Sequence, residues 1–189
     1  MLSYAGLVLW NWAPKDNAAS SPGGFFELDD VQPLVSFTGG RGEAAFYHVP
    51  ALIEAEGGPL IPLLLEAVAA IGRSDAVQVT NALIRSAEII GRMKQHLPKL
   101  YATLDASKFY HELRPFLSGG KGMKDKGLPR GFVFRRKDGS EQEVHCIGGS
   151  AAQSSLFQFL DVVLGVQHEP TGRNSETLFQ VGGTRTVNT

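Results

Sequence analysis

The chain predicts a mainly α protein: packed helices carrying one small β-hairpin. Three observations point there. Apolar residues recur at the 3.6-residue period through much of 43–116 and again over 150–166. Glycine and proline interrupt those runs where helices should end. A single Asp-Gly turn signal, Lys137-Asp138-Gly139-Ser140, lies between two short stretches able to pair.

Each element follows from local chemistry. Leu2 to Trp12 reads as a buried helix ended by Pro14, and Lys15 to Gly24 as a loop of turn formers and small polar residues. Val35 to Phe37 reads as a short extended piece. Ala44 to Glu54 and Leu60 to Ile71 are dense in apolar side chains and separated by Gly57-Gly58-Pro59. Pro62 is tolerable there, because first-turn amides have no intrahelical partner. Ser74 is positioned to cap the next helix. Val79, Leu83, Ala87, Ile90, Met93 and Leu97 would form its buried face, with Pro98 expected to kink or end it. Asp105 or Ser107 would cap a helix reaching Phe116 and stopped by Ser118-Gly119-Gly120. Gly131 to Arg136 and Glu141 to Ile147 are the hairpin arms. Ser150 to Val166 is helical, with Leu156, Phe159, Leu160, Val163 and Leu164 as its apolar stripe.

Bulk properties narrow the function class. With 189 residues, 43% apolar and 20% charged, the chain has an ordinary globular composition and enough length for a substantial core. A formal charge of −1 gives no broad attraction to nucleic acid or an anionic membrane. No apolar run of membrane-spanning length stands out in the sequence. The lone Cys146 cannot form an internal disulfide, which fits a reducing, cytoplasmic setting. Residues 1–168 read as a partial all-α domain and 169–189 as a flexible tail.

Two segments carry candidate chemistry. In Phe109 to Gly122 (FYHELRPFLSGGKG), Tyr110 and Arg114 stack four apart on one helix face, while Phe109 and Arg114 are about 140° apart on a regular helix. A guanidinium fork grips a carboxylate, and an aromatic wall beside it sandwiches a flat ring. The alternative is that both rings are core and Arg114 pairs with a surface acid. In Gly148 to Gly165 (GGSAAQSSLFQFLDVVLG), two glycines permit close backbone approach and Ser150 opens a helix with free amides, a seat for an anionic group. Ser150, Ser154, Phe157 and Asp161 share one face of that helix; an ordinary Gly-Ser helix start is the alternative. The Lys121 region follows a helix and lacks the Lys-Ser/Thr ending of a phosphate loop. His48, His96, His111, His145 and His168 show no metal-ligand spacing, and each reads as a surface or hydrogen-bonded residue.

The wording and order of these segments resemble the indoleamine 2,3-dioxygenases, haem enzymes that open the indole ring of tryptophan. The likeness runs from about Tyr4 to Gln167 and covers the middle of that family's pattern. It implies a helical bundle of the family's large-domain type, haem b as cofactor, dioxygen as co-substrate and L-tryptophan or a related indoleamine as substrate, giving N-formylkynurenine. It further implies that Tyr4 and Leu7 line the distal pocket, Phe109 and Tyr110 stack near the indole, and Arg114 binds the substrate carboxylate. Ser150, with Gly149 and Ala151, would meet a haem propionate and the substrate edge, and Phe157 and Asp161 would lie on the proximal side. Pro50 falls where some relatives carry a distal hydroxyl or histidine, and offers no donor.

The same resemblance implies a chain truncated at both ends. The helix bearing the family's iron-ligating histidine has no match after Gln167, and His168, on a turn signal, is not expected to replace it. A monomer inactive alone follows. The rival readings are a non-catalytic haem- or indole-binding module, or a non-functional fragment.

Overall fold

A computed structural model describes residues 3–15, 27–146 and 148–167. It is mainly helical with two short antiparallel strand pairs. Helices α1 (Arg41–Gly57), α2 (Leu60–Gly72) and α3 (Ala76–Thr103) pack together, α3 lying along both others. A broken helical segment follows: α4 (Ala106–Lys108), a π turn (Phe109–Leu113) and α5 (Arg114–Leu117). Strands β3 (Phe132–Arg135) and β4 (Glu141–Val144) form the hairpin expected from the Asp-Gly signal, and α6 (Ser155–Leu164) closes the described chain. Gly165, at φ 67°, ends α6 in the left-handed conformation that glycine adopts without a steric penalty.

Several expectations need correction. The N-terminal helix is one π turn, Ala5–Leu9, and Trp10 beyond it is 73% exposed. Strands β1 (Ala13–Pro14) and β2 (Val31–Gln32) pair instead of Val35–Phe37 extending; a pair this short leaves no periodicity to read. Asp75, not Ser74, caps α3 by accepting from the Gln78 N–H at 3.0 Å, while Ser74 takes a positive φ of 57°. Pro98 stands inside α3, which runs on to Thr103; it sits near the end at an exposed position, so a single missing amide is tolerated. The loop at 16–26 and the tail at 169–189 lie outside the described residues.

The buried face of α3 is also not the one expected. Ala82, Ser86, Ile89 and Met93 face inward, while Leu83, Ile90 and Leu97 are exposed. Two apolar stripes run side by side on this helix, and period alone cannot choose between them. Small side chains decide it: Ala82 and Ser86, with Ala67 and Ala70 on α2, permit close helix approach. At the crossing with α1, a Cβ on Gly57 would overlap Leu156 and press on Met93. The main core, Val49, Ile53, Leu60, Leu64, Ile89, Met93, Leu156 and Leu160, fills this junction. The pair α1–α2, running Arg41–Gly72 almost without interruption, is long and apolar enough by composition to cross a membrane, which the sequence reading did not expect.

One buried carboxylate organises the loop before α1. Glu43 is 3% exposed and accepts from the Phe37 and Thr38 amides at 2.7 Å, the Ser36 and Thr38 hydroxyls at 2.7 and 2.6 Å, and Tyr47 at 3.1 Å. Burial alone would raise its pKa; the converging donors overcome that and hold it at about 2. Nearby, Asn11 exchanges two hydrogen bonds with the Val35 backbone. His48 breaks the histidine expectation: it is 1% exposed and neither ring nitrogen has a hydrogen-bond partner. Burial depresses its pKa, and Lys15 adds to that.

Two predictions follow on stability. Glu43→Ala removes the acceptor for five donors and is expected to cost about 3 kcal/mol, read by denaturant unfolding at pH 7. Because the folded-state pKa of Glu43 is lowered, its contribution is full above the unfolded value near 4.5 and is lost as pH falls toward 2. For His48 the unfolded state binds the proton more readily, so stability drops as pH falls through about 6.5. His48→Leu is expected to flatten that slope between pH 7 and 5, leaving the part owed to His96, whose pKa burial also lowers.

Candidate functional site

The site is built on a close backbone approach. The Gly148–Ser150 strand passes between the N-terminal π turn and the end of α5. A Cβ on Gly148 would strike the Leu117 carbonyl, and one on Gly149 would lie 2.8 Å from Leu7 Cδ1 and 3.4 Å from the Tyr4 nitrogen. Gln153 ties the two sides: its side-chain oxygen accepts from the Tyr4 amide at 3.2 Å, and its nitrogen donates to the Gly148 carbonyl at 3.4 Å. Ser150 caps the short turn Ala151–Gln153 through the Ala152 amide, and Ser154, fully buried, caps α6 through the Phe157 amide.

This approach frames an apolar cavity of about 290 Å³. Of the sequence-predicted residues, Tyr4, Leu7, Gly149, Ser150, Ala151 and Phe157 line it together. Phe46, Tyr47, Pro50 and Ile53 of α1 form the facing wall, with Val8 and Leu117 beside them. Pro50 is the one of these that the resemblance places near the pocket; Phe46, Tyr47 and Ile53 carry no separate signal, because a cavity wall and a packed core share the same apolar pattern. Tyr4 and Tyr47 both turn their hydroxyls to carboxylates, Tyr4 to Glu54 at 2.8 Å and Tyr47 to Glu43 at 3.1 Å. Burial first, and then these acids, push both phenol pKa values well above their ordinary range.

The remaining predicted residues, Phe109, Tyr110, Arg114 and Asp161, do not line this cavity. Phe109 packs its ring on Phe46 at a 4.9 Å centroid distance and lines a second, more polar cavity of about 390 Å³ with Lys108 and Glu112. Phe46 and Phe109 together therefore separate the two spaces. Arg114 is exposed, its guanidinium 5.5 Å from the Tyr110 ring centroid, and it forms no ion pair among the described residues. The π turn alters the expected spacing: the Arg114 amide bonds the Phe109 carbonyl, closing one turn over five residues instead of four. Asp161 is partly buried in the last turn of α6.

A haem group fits this lining in part. Gly149 and Ala151 line the cavity beside Phe157, and the Ser150 hydroxyl and adjoining amides suit a propionate, while the space next to Gly149 itself is taken by Leu7. Among the described residues no histidine, cysteine or methionine lines the cavity, and both tyrosine hydroxyls bond carboxylates. No cluster of three metal-binding side chains occurs among the described residues. The lining thus fits one face of the ring system and offers its iron no axial ligand. Gly148→Ala is expected to destabilise the chain by more than about 3 kcal/mol, since it meets backbone. Gly149→Ala should cost less, because it meets the end of a leucine that can move. Thermal unfolding of the pair checks the order, and Leu7→Ala should relieve only the second.

Comparison with known proteins bears on the whole chain. The sequence model described as indoleamine 2,3-dioxygenase matches residues 1–186. A 6-hydroxytryptophan 2,3-dioxygenase of Fusarium equiseti is 40% identical over 88% of this chain and 40% of its own length. An indoleamine 2,3-dioxygenase of Aspergillus candidus is 37% identical over 91% of this chain and 43% of its own. Indoleamine 2,3-dioxygenase 1 of Rattus norvegicus is 33% identical over 89% and 39% respectively. The chain spans about two-fifths of the length of these relatives. With the mainly helical fold and the glycine-framed cavity, these matches establish that the chain belongs to the indoleamine 2,3-dioxygenase family of dioxygenase oxidoreductases.

Proposed function

We propose that this chain supplies the ring-binding wall of a haem-dependent dioxygenase acting on L-tryptophan or a related indoleamine, the reaction yielding N-formylkynurenine in the cytoplasm. The observation that carries it is the apolar cavity in which Tyr4, Leu7, Gly149, Ser150, Ala151 and Phe157 meet. Haem, when bound, supplies the redox-active iron that activates dioxygen. The chain's own residues do the rest. Phe46, Leu7 and Phe157 hold a flat ring and exclude water from it. Phe109 backs Phe46 and fixes its tilt. Arg114, in no ion pair among the described residues, reaches for the substrate carboxylate, and Tyr110 beneath it restrains the guanidinium.

A non-catalytic binding module is the second reading. It is favoured by one observation: the cavity offers ring contacts and no axial ligand. Under either reading the chain by itself does not turn over substrate. Purified chain supplemented with ferrous haem and dioxygen is expected to show no kynurenine-type product and no histidine-ligated Soret band; turnover would overturn this. Arg114→Ala is expected to weaken tryptophan binding by about 1.5–3 kcal/mol. Indole binding, which involves no carboxylate, should be unchanged. Titration calorimetry with both ligands separates the outcomes, and equal loss for the two would remove Arg114 from the carboxylate role.

A further inference from the structure

A second face of α1 borders a space of different chemistry. Arg41, Ala45 and His48, on one side of the helix, line a cavity of about 120 Å³ together with Lys15 and Asp29. It shares no lining residue with the ring cavity. Its lining runs from the surface inward: Lys15, Asp29 and Arg41 are exposed, whereas Ala45 and His48 are buried. His48 is 1% exposed, and neither ring nitrogen has a hydrogen-bond partner among the described residues. A polar group buried in that way costs stability unless something bound beside it supplies the missing bond. The space is ample for more than one water, whose share of volume is about 30 Å³.

Charge decides what can enter. The lining sets two cations against one carboxylate. Asp29 meets Arg41 at 3.4 Å and offers Lys15 only its backbone carbonyl, so the Lys15 ammonium has no ionic partner among the described residues. We propose that this cavity is a binding site for a small phosphate-type oxyanion, its oxygens held by Lys15 and Arg41 and its acidic hydroxyl donated to His48. The ring is suited to that role. Burial keeps the imidazole neutral, with one donor nitrogen and one acceptor. The Asn11 backbone partly satisfies the donor, which leaves the other nitrogen to accept. Phosphate near neutral pH carries both functions, oxygens for the cations and an O–H for the lone pair. Sulfate has the oxygens alone, and a metal ion would be repelled by the two cations.

Titration calorimetry of the full chain with inorganic phosphate at pH 7, ionic strength held constant with sodium chloride, tests this. Saturable binding at one site is expected, with sulfate several-fold weaker. His48→Leu removes the acceptor and should weaken phosphate by about tenfold, bringing it close to sulfate. Arg41→Gln should weaken both anions alike, several-fold. Arg136→Gln removes the same charge from the hairpin and should leave both unchanged. Absence of saturable binding would overturn the inference, the cavity then holding water alone. Equal affinity for the two anions in the wild type, phosphate binding untouched by His48→Leu, or an equal response to Arg41→Gln and Arg136→Gln would do the same. Zinc chloride titrated in place of phosphate should show no binding that His48→Leu abolishes; such binding would make this a cation site and overturn the assignment.

Discussion

Everything in the site depends on how closely the Gly148–Ser150 backbone approaches two other segments. On one side is the Leu117 carbonyl, on the other the Tyr4–Leu7 turn. The first approach leaves no space for a Cβ and the second admits one only if Leu7 gives way, so sequence and architecture are joined here by excluded volume and not by an attractive contact. The attractive contacts come second. Gln153 bridges Tyr4 to Gly148, and Ser150 and Ser154 terminate the two helical pieces that follow. Loss of the close approach would let the N-terminal turn drift from α6, and the cavity would lose its back wall.

The polar groups of this region are arranged so that the cavity stays apolar. Glu43 is buried without a basic partner, a position normally costly for a carboxylate. Its five donors come from three consecutive residues of the preceding loop and from Tyr47 one turn along α1. The same carboxylate therefore folds the loop, anchors the N-terminal part of α1 and fixes a ring in the cavity wall. Phe37, carried by that loop, stacks on Phe116 at 4.8 Å and so links the loop to α5. His48, one residue further along α1, has no close hydrogen-bond partner among the described residues, and the nearby Asn11 backbone offsets its burial only in part.

Local chemistry in the sequence was enough for the three long helices and the hairpin, because each has its own period or turn residue, but not for the start of α6, where Ser154 and not Ser150 caps the helix. It was not enough where two solutions share one pattern. On α3 the stripes through Ala82–Met93 and through Leu83–Leu97 are equally periodic, and the choice belongs to the neighbours, not to the helix. The π turn at Phe109–Leu113 is likewise invisible to a 3.6-residue count, although it decides how Phe109 and Arg114 stand to each other. Glu43 carries no local sign of its role, which appears only once Ser36, Phe37 and Thr38 fold back over it. Family resemblance supplied the grouping of Tyr4 and Leu7 with Gly149 and Ala151, residues about 140 positions apart that no local rule connects.

Ring recognition and iron ligation are separable in this architecture. The ring wall draws on α1, the N-terminal turn and the Gly148–Ser150 segment, with Leu97 and Leu100 of α3, Leu117 of α5 and Phe157 of α6 beside them. Iron ligation needs a basic nitrogen or sulfur aimed at the same space, and no described residue supplies one. Meanwhile α2 carries Ile61, Leu65, Val68 and Ile71 along one exposed stripe, beside the exposed Leu83, Ile90 and Leu97 of α3. Uncovered stripes of that length are uncommon on a monomer surface. The described helices thus present two apolar surfaces, the cavity wall and the outer stripe on α2 and α3.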